Sequence, residues 1–296
     1  MTVPGHLLHV GYPKTGSKFL QRWFGAHPDL GFSDWGIAGF RDAHALMAAA
    51  ARPLPPWYVT SHEALLTPLP DYEDFGAGGG AAVLPTRDAQ RAACIRLTAL
   101  FPASHVLIVT RGYETLIRSF YAEMVVGGAS YGFGDFCQSL LAQVEGGTDV
   151  FDFDAAIDAY GARFGEERLL VLPFELLRDR PDEFLGAIEA RLGIGRLRIS
   201  GERVRPTPSD ARLAAYRRMT GWMRAVPAPA SLRRRYVAAL RTGRLRGVAA
   251  AIEGRKGVPG GEALAVPPRL LDALAGRSGR LRDNPFVQDY AREYFL

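Results

Sequence analysis

Short apolar runs that each lead into a helical pattern recur along this chain, and no other feature constrains its fold as much. Four runs read this way: His6–Tyr12, Trp57–Ser61, His105–Thr110 and Leu169–Phe174. Each is brief and β-rich, as strands buried on both faces of a parallel sheet must be. Helices are predicted at Ser17–Ala26, with Phe19, Leu20, Trp23 and Phe24 as the apolar stripe, and at Arg87–Phe101. Two more fall at Tyr113–Val126, with Leu116, Ile117, Phe120 and Met124 at helical spacing, and at Pro181–Leu192, which opens on proline and stops at Gly193. Strands alternating with helices define an α/β fold. A chain of 296 residues can bury a core of this kind as one domain. Residues 1–200 are expected to form the α/β core and 201–296 a helical, arginine-rich region.

The later part of the chain is more broken. Pro206-Thr207-Pro208 interrupts it, and Ser209 is placed to cap a helix running to about Arg224. Ala225–Ala230 is Pro/Ala-rich, and Pro268–Leu296 reads as helical with Tyr290, Tyr294 and Phe295 docking on the core. Gly76-Ala77-Gly78-Gly79-Gly80 lies in a loop too glycine-rich for regular structure, either a lid or a surface insertion.

No apolar run reaches the roughly 18 residues of a membrane span, and the N-terminus lacks a basic region and a small-residue cleavage site. The expectation is a cytoplasmic protein without a membrane span. Cys94 and Cys137 stand apart from each other and from histidines at ligand spacing, so buried thiols are expected and neither a disulfide framework nor a zinc site.

Charge is unevenly spread. Arg203 to Lys256 holds 14 basic residues against Asp210 and Glu253, a segment of +12 in a chain whose remainder is −7. Such a stretch points to an anionic ligand, whether nucleic acid, a membrane surface or a phosphorylated or sulfated acceptor whose entrance it would line; the alternative is a solvated arginine face. Only three of the 36 basic residues are lysines, and two of those, Lys14 and Lys18, share one loop. Where arginine is the habitual cation, a lysine marks a place that needs a compact point charge.

That loop, Gly11-Tyr12-Pro13-Lys14-Thr15-Gly16-Ser17-Lys18-Phe19-Leu20-Gln21, joins a buried strand to a helix. Free amides and the positive helix end suit such a turn to holding a phosphate. The nucleotide triphosphatase pattern requires Gly-Lys-[Ser/Thr], whereas Gly16 is followed by Ser17 and then Lys18, so the lysine free to lie over the phosphates is Lys14. The variant resembles the 5′-phosphosulfate loop of sulfotransferases that use 3′-phosphoadenosine 5′-phosphosulfate (PAPS). Pro13, Lys14, Thr15, Gly16, Phe19 and Leu20 fit that family pattern, while Ser17 and Lys18 stand where threonines are usual. The resemblance implies that Lys14 contacts the oxygen bridging sulfur and phosphate, that the amides of Thr15, Gly16, Ser17, Lys18 and Phe19 hold the 5′-phosphate, and that the Phe19 ring lies against adenine.

A second segment carries the same resemblance. Strand His105–Thr110 ends at Arg111, and Ser119, followed by Phe120 and Tyr121, comes eight residues later. In the family this arginine and serine bind the 3′-phosphate, and a bidentate guanidinium with a hydroxyl donor suits a dianion. In an open parallel sheet the ligand belongs at these strand ends. Val171-Leu172-Pro173-Phe174-Glu175, followed by Arg180–Phe184, is similar to a mostly structural strand and helix of bacterial members, and Arg255-Lys256-Gly257 is similar to the tripeptide that closes over the 3′-phosphate in cytosolic ones. The fold implied is a P-loop-like parallel sheet flanked by helices.

Sulfuryl transfer needs an in-line acceptor, charge stabilisation on the leaving phosphate and a base. Lys14 is the expected leaving-group cation. The strand Trp57–Ser61 delivers His62 and Glu63, which the resemblance makes alternative catalytic bases; the bland alternative is that they cap the following helix. The partner implied is a small-molecule or glycan acceptor, anionic ones included, with neither metal nor nucleic acid required. Two other readings stay open: a P-loop nucleotide or small-molecule kinase, and a nucleic-acid-binding protein using residues 203–256.

Overall fold

A computed structural model describes residues 4–49, 53–62, 65–66, 84–199, 208–253 and 264–295. In chain order the elements are β1 (Gly5–His9), α1 (Ser17–Ala26), β2 (Leu30–Phe32), α2 (Ala43–Ala49), β3 (Trp57–Ser61), α3 (Arg87–Leu100), β4 (His105–Thr110), α4 (Tyr113–Val126), α5 (Phe133–Glu145) and α6 (Phe153–Phe164). They continue as β5 (Leu169–Pro173), α7 (Phe174–Asp179), α8 (Pro181–Leu192), α9 (Asp210–Ala225), α10 (Ala230–Arg241), α11 (Arg246–Glu253), α12 (Pro268–Ala275), α13 (Gly279–Arg282) and α14 (Ala291–Phe295).

The strands form one parallel sheet in the order β2-β3-β1-β4-β5. Every residue of β4 after His105 is buried, so both faces of the sheet are covered, as the near-continuous apolar run requires. Helix α1 packs on β2 and β3, and α6 on β4 and β5. From β1 the chain goes to β3 and β2 on one side, and to β4 and β5 on the other. The crevice outside the strand ends therefore opens where β1 meets β4, the position at which such sheets bind ligands.

The α/β class stands, with three local differences. Strand β2 escapes a periodicity reading because it has three residues with Gly31 in the middle; a Cβ there would lie 2.6 Å from Tyr58 Cδ1. The first predicted strand ends at His9, although Val10 N and Tyr12 N still donate to Leu107 O and Val109 O of β4 at 3.0 and 3.5 Å. The C-terminal segment is not one helix. Gly276 ends α12, and the Asn284 side chain bonds Phe286 N and Val171 O just before Pro285. Tyr290 and Tyr294 are buried there as anticipated, and so are Cys94 and Cys137, whose thiol pKa values burial pushes up to about 11 and 12.

Candidate active site

The loop after β1 is shaped by two left-handed residues, Lys14 at φ 67° and Gly16 at φ 85°. Thr15, fully buried, pins the turn by donating from Oγ1 to Tyr12 O at 2.5 Å. Gly16 stands at the N-cap of α1 and supplies no side-chain cap, so the first-turn amides of this helix keep their hydrogen-bonding capacity. Phe19 N is already engaged with Gly16 O at 2.9 Å, which leaves the amides from Thr15 to Lys18 as the set for an anion. Ser17 Oγ is buried without a partner at the same helix end. An uncapped N-terminus with an unsatisfied buried hydroxyl is the geometry of an anion site.

Beneath the loop lies a buried polar layer that periodicity could not disclose. His9 shares a 2.7 Å hydrogen bond between Nδ1 and Ser61 Oγ, and Gln21 Nε2 donates to Ser61 O and Oγ at 3.4 Å. His9 Nε2 has no partner and lies against the loop; a Cβ added to Gly11 would be 2.9 Å from it. Burial lowers the His9 pKa to about 3, so the imidazole under the loop is neutral.

On the β4 side the two motifs touch. Arg111 Nη1 donates to Lys14 O at 2.6 Å, Arg111 Nε donates to Thr115 Oγ1 at 3.0 Å, and the guanidinium lies 4.8 Å over the Phe174 ring. Lys14 Nζ reaches Glu123 Oε2 at 3.5 Å. Thr115, Ser119 and Glu123 are four residues apart on α4 and share one face. Because Thr115 meets Arg111 and Glu123 meets Lys14, buried Ser119 sits between the two cations' contacts. Glu175, fully buried, supports this end of the sheet: its carboxylate accepts from Gly112 N at 3.0 Å, at the start of α4, and from Tyr294 OH at 2.9 Å. Burial raises its pKa.

The β3 side holds a second cluster. Lys18 Nζ donates to Gln21 Oε1 at 3.0 Å and lies 5.7 Å from the Trp35 ring centroid, and the Trp35 and His62 rings are 4.9 Å apart. His62 follows directly on β3 and its N–H reaches His9 O at 3.3 Å. Burial first, then the Lys18 charge, lowers the His62 pKa against a smaller opposing effect of Asp34. The imidazole is thus neutral near pH 7 and able to accept a proton.

The structure therefore brings Lys14, Thr15, Gly16, Ser17, Arg111 and Ser119 to one place and puts Lys18 and His62 on the opposite side of the loop. Phe19 is half-buried against the core. Glu63, Arg255, Lys256, Gly257 and the glycine run 76–80 lie outside the described residues. Glu123 and Thr115 were missed by sequence reasoning, although their spacing of four about Ser119 was a usable signal. Trp35 gave none. Two surface clefts of about 330 and 340 Å³ lie beside α8 and along β5 and hold none of these residues.

No family model matches the chain, and no curated protein does. Among solved structures, a sulfotransferase from Alicyclobacillus acidocaldarius is similar at 17% identity, covering 86% of this chain and all of that one, with a TM-score of 0.43. Mouse sulfotransferase SULT7A1 complexed with PAP is similar at 14% identity, covering 98% of this chain and 88% of that one, with a TM-score of 0.44.

Proposed function

We propose that the chain acts as one sulfotransferase domain that moves the sulfuryl group of PAPS onto a hydroxyl or amine of a small-molecule or glycan acceptor. The observation that carries this reading is the Arg111–Lys14 contact, which joins two motifs 97 residues apart in sequence at the ligand-binding end of the sheet. The amides from Thr15 to Lys18 and Ser17 Oγ receive the 5′-phosphate, and Arg111 with Ser119 takes the 3′-phosphate. The acceptor oxygen or nitrogen attacks sulfur, and the bond from sulfur to the bridging oxygen breaks. Its electron pair stays on the departing phosphate, where the Lys14 charge stabilises it. The acceptor proton passes to neutral His62, with Glu63 supporting it or sharing the task. Arg255-Lys256-Gly257 is assigned to closure over the 3′-phosphate. A kinase reading is less well served, because the lysine following Gly16 is occupied with Gln21 and Trp35.

Transfer of label from radioactive PAPS to a panel of hydroxyl and amine acceptors, compared between the native chain and Lys14→Ala, tests the proposal. Loss of one such electrostatic donor should lower kcat about 10²-fold or more, with a smaller effect on nucleotide affinity. Turnover within a few-fold of native would reduce Lys14 to a loop residue.

A further inference from the structure

Most of the basic segment is not absorbed by this chemistry. From residue 211 to residue 252 the chain has ten arginines and no acidic residue. Part of this charge is used internally: Arg212 pairs with Glu253, and Arg224 Nη2 donates to Gly128 O at 3.2 Å. The tip of the α9–α10 hairpin is more exposed. The first six residues of α10, Ala230 to Arg235, are all exposed, and Leu240 is the one buried residue of that helix. The hairpin is nonetheless fixed in place, since the Thr220 and Tyr236 hydroxyls share a 2.9 Å hydrogen bond between α9 and α10.

Large apolar side chains crowd this tip. Trp222 is 57% exposed, Val226 57% and Leu232 45%. Trp222 lies in the last turn of α9, Val226 follows that helix directly in extended backbone, and Leu232 lies in the first turn of α10 beside Arg233 and Arg235. Exposure of these groups to water is unfavourable. Six consecutive exposed helical residues suit a flat surface better than the wall of a pocket.

We infer that the α9–α10 tip is a membrane-docking surface for an anionic bilayer. Trp222, Val226 and Leu232 enter the interface, and Arg233 and Arg235 meet the headgroup charge, the division of labour of an interfacial amphipathic helix. Charge complementarity selects an anionic surface, and the apolar residues select a bilayer over a nucleic acid, because valine and leucine have neither hydrogen-bond donors for phosphate nor a ring face for a base. The inference is independent of the proposed chemistry.

Co-sedimentation of the full chain with vesicles tests it. Phosphatidylcholine vesicles carrying about 30% phosphatidylserine should bind the chain, and phosphatidylcholine alone should not. Trp222→Ser with Leu232→Ser should weaken binding about tenfold or more, from lost apolar insertion. Arg233→Ser with Arg235→Ser should do so similarly, at about fivefold per arginine. Unchanged unfolding temperatures would show that both variants fold. Absence of binding to the anionic vesicles would overturn the inference. So would native-like binding by the apolar variant, or a duplex DNA fragment bound more tightly than the vesicles and equally by that variant; the tip would then be a polyanion surface.

Discussion

Replacing Glu123 by glutamine should tighten the binding of 3′-phosphoadenosine 5′-phosphate (PAP), the product of transfer. Glu123 places a carboxylate in the proposed anion site, 3.5 Å from the lysine assigned to the leaving group, and each side chain of the pair is little more than a quarter exposed. Nucleotide binding must compete with the pair, worth about 0.2–1 kcal/mol at such exposure. It must also tolerate repulsion between carboxylate and phosphate, which at about 7 Å and an effective dielectric of about 40–80 adds about 0.6–1.2 kcal/mol. Together these come to about 1–2 kcal/mol, or roughly 5- to 30-fold in Kd. Glutamine keeps the size and the helix while removing the charge. Titration calorimetry with PAP at low and high salt measures the effect, and the gain should shrink as salt rises. Unchanged or weaker affinity in Glu123→Gln would refute the view that this pair is a competing latch on Lys14.

Two pH effects should accompany it. With His62 depressed below the ordinary histidine range, the native pH–rate profile at saturating PAPS should hold its activity into mildly acidic solution, and His62→Ala should lose the acidic limb; a normal profile in the variant would pass the base role to Glu63. Stability should fall on acidification, because burial holds the pKa of folded His9 at about 3 and of His6 at about 4 while the unfolded chain takes up protons below about 6.5. The contribution is therefore complete above about pH 6.5 and is lost as pH drops toward the folded values, at up to about 1.4 kcal/mol per pH unit for each histidine. Urea unfolding at several pH values should show a shallower slope in His9→Gln than in the native chain, and parallel slopes would contradict it.

Much of the scaffold was legible because its signals are local. The apolar runs of β3 and β4 and the stripes of α1 and α4 are set by residues that neighbour one another in sequence. Strand β2 was not legible, since three residues around a glycine carry no period. In the site, Lys14, Arg111 and Ser119 could be found through motif spacing, whereas their meeting depends on the β1–β4 pairing. Trp35 beside His62, and His9 beneath Gly11, arise from tertiary contacts that leave no mark on either segment alone. Glu123 falls between these cases: its helical register was readable, but its partner was not.

The central claim is that this crevice holds a nucleotide with a 3′-phosphate as well as a 5′-phosphate, and calorimetry comparing PAP with AMP tests it most directly. Charge-assisted bonds from Arg111 and Ser119 to the additional phosphate, at about 1.5–3 kcal/mol each, predict PAP affinity at least about 10²-fold above that of AMP. That preference should fall about tenfold or more in Arg111→Ala and disappear when Ser119 is replaced by alanine as well. Equal affinity of the native chain for the two nucleotides would contradict the assignment of Arg111 and Ser119, and with it the proposed donor.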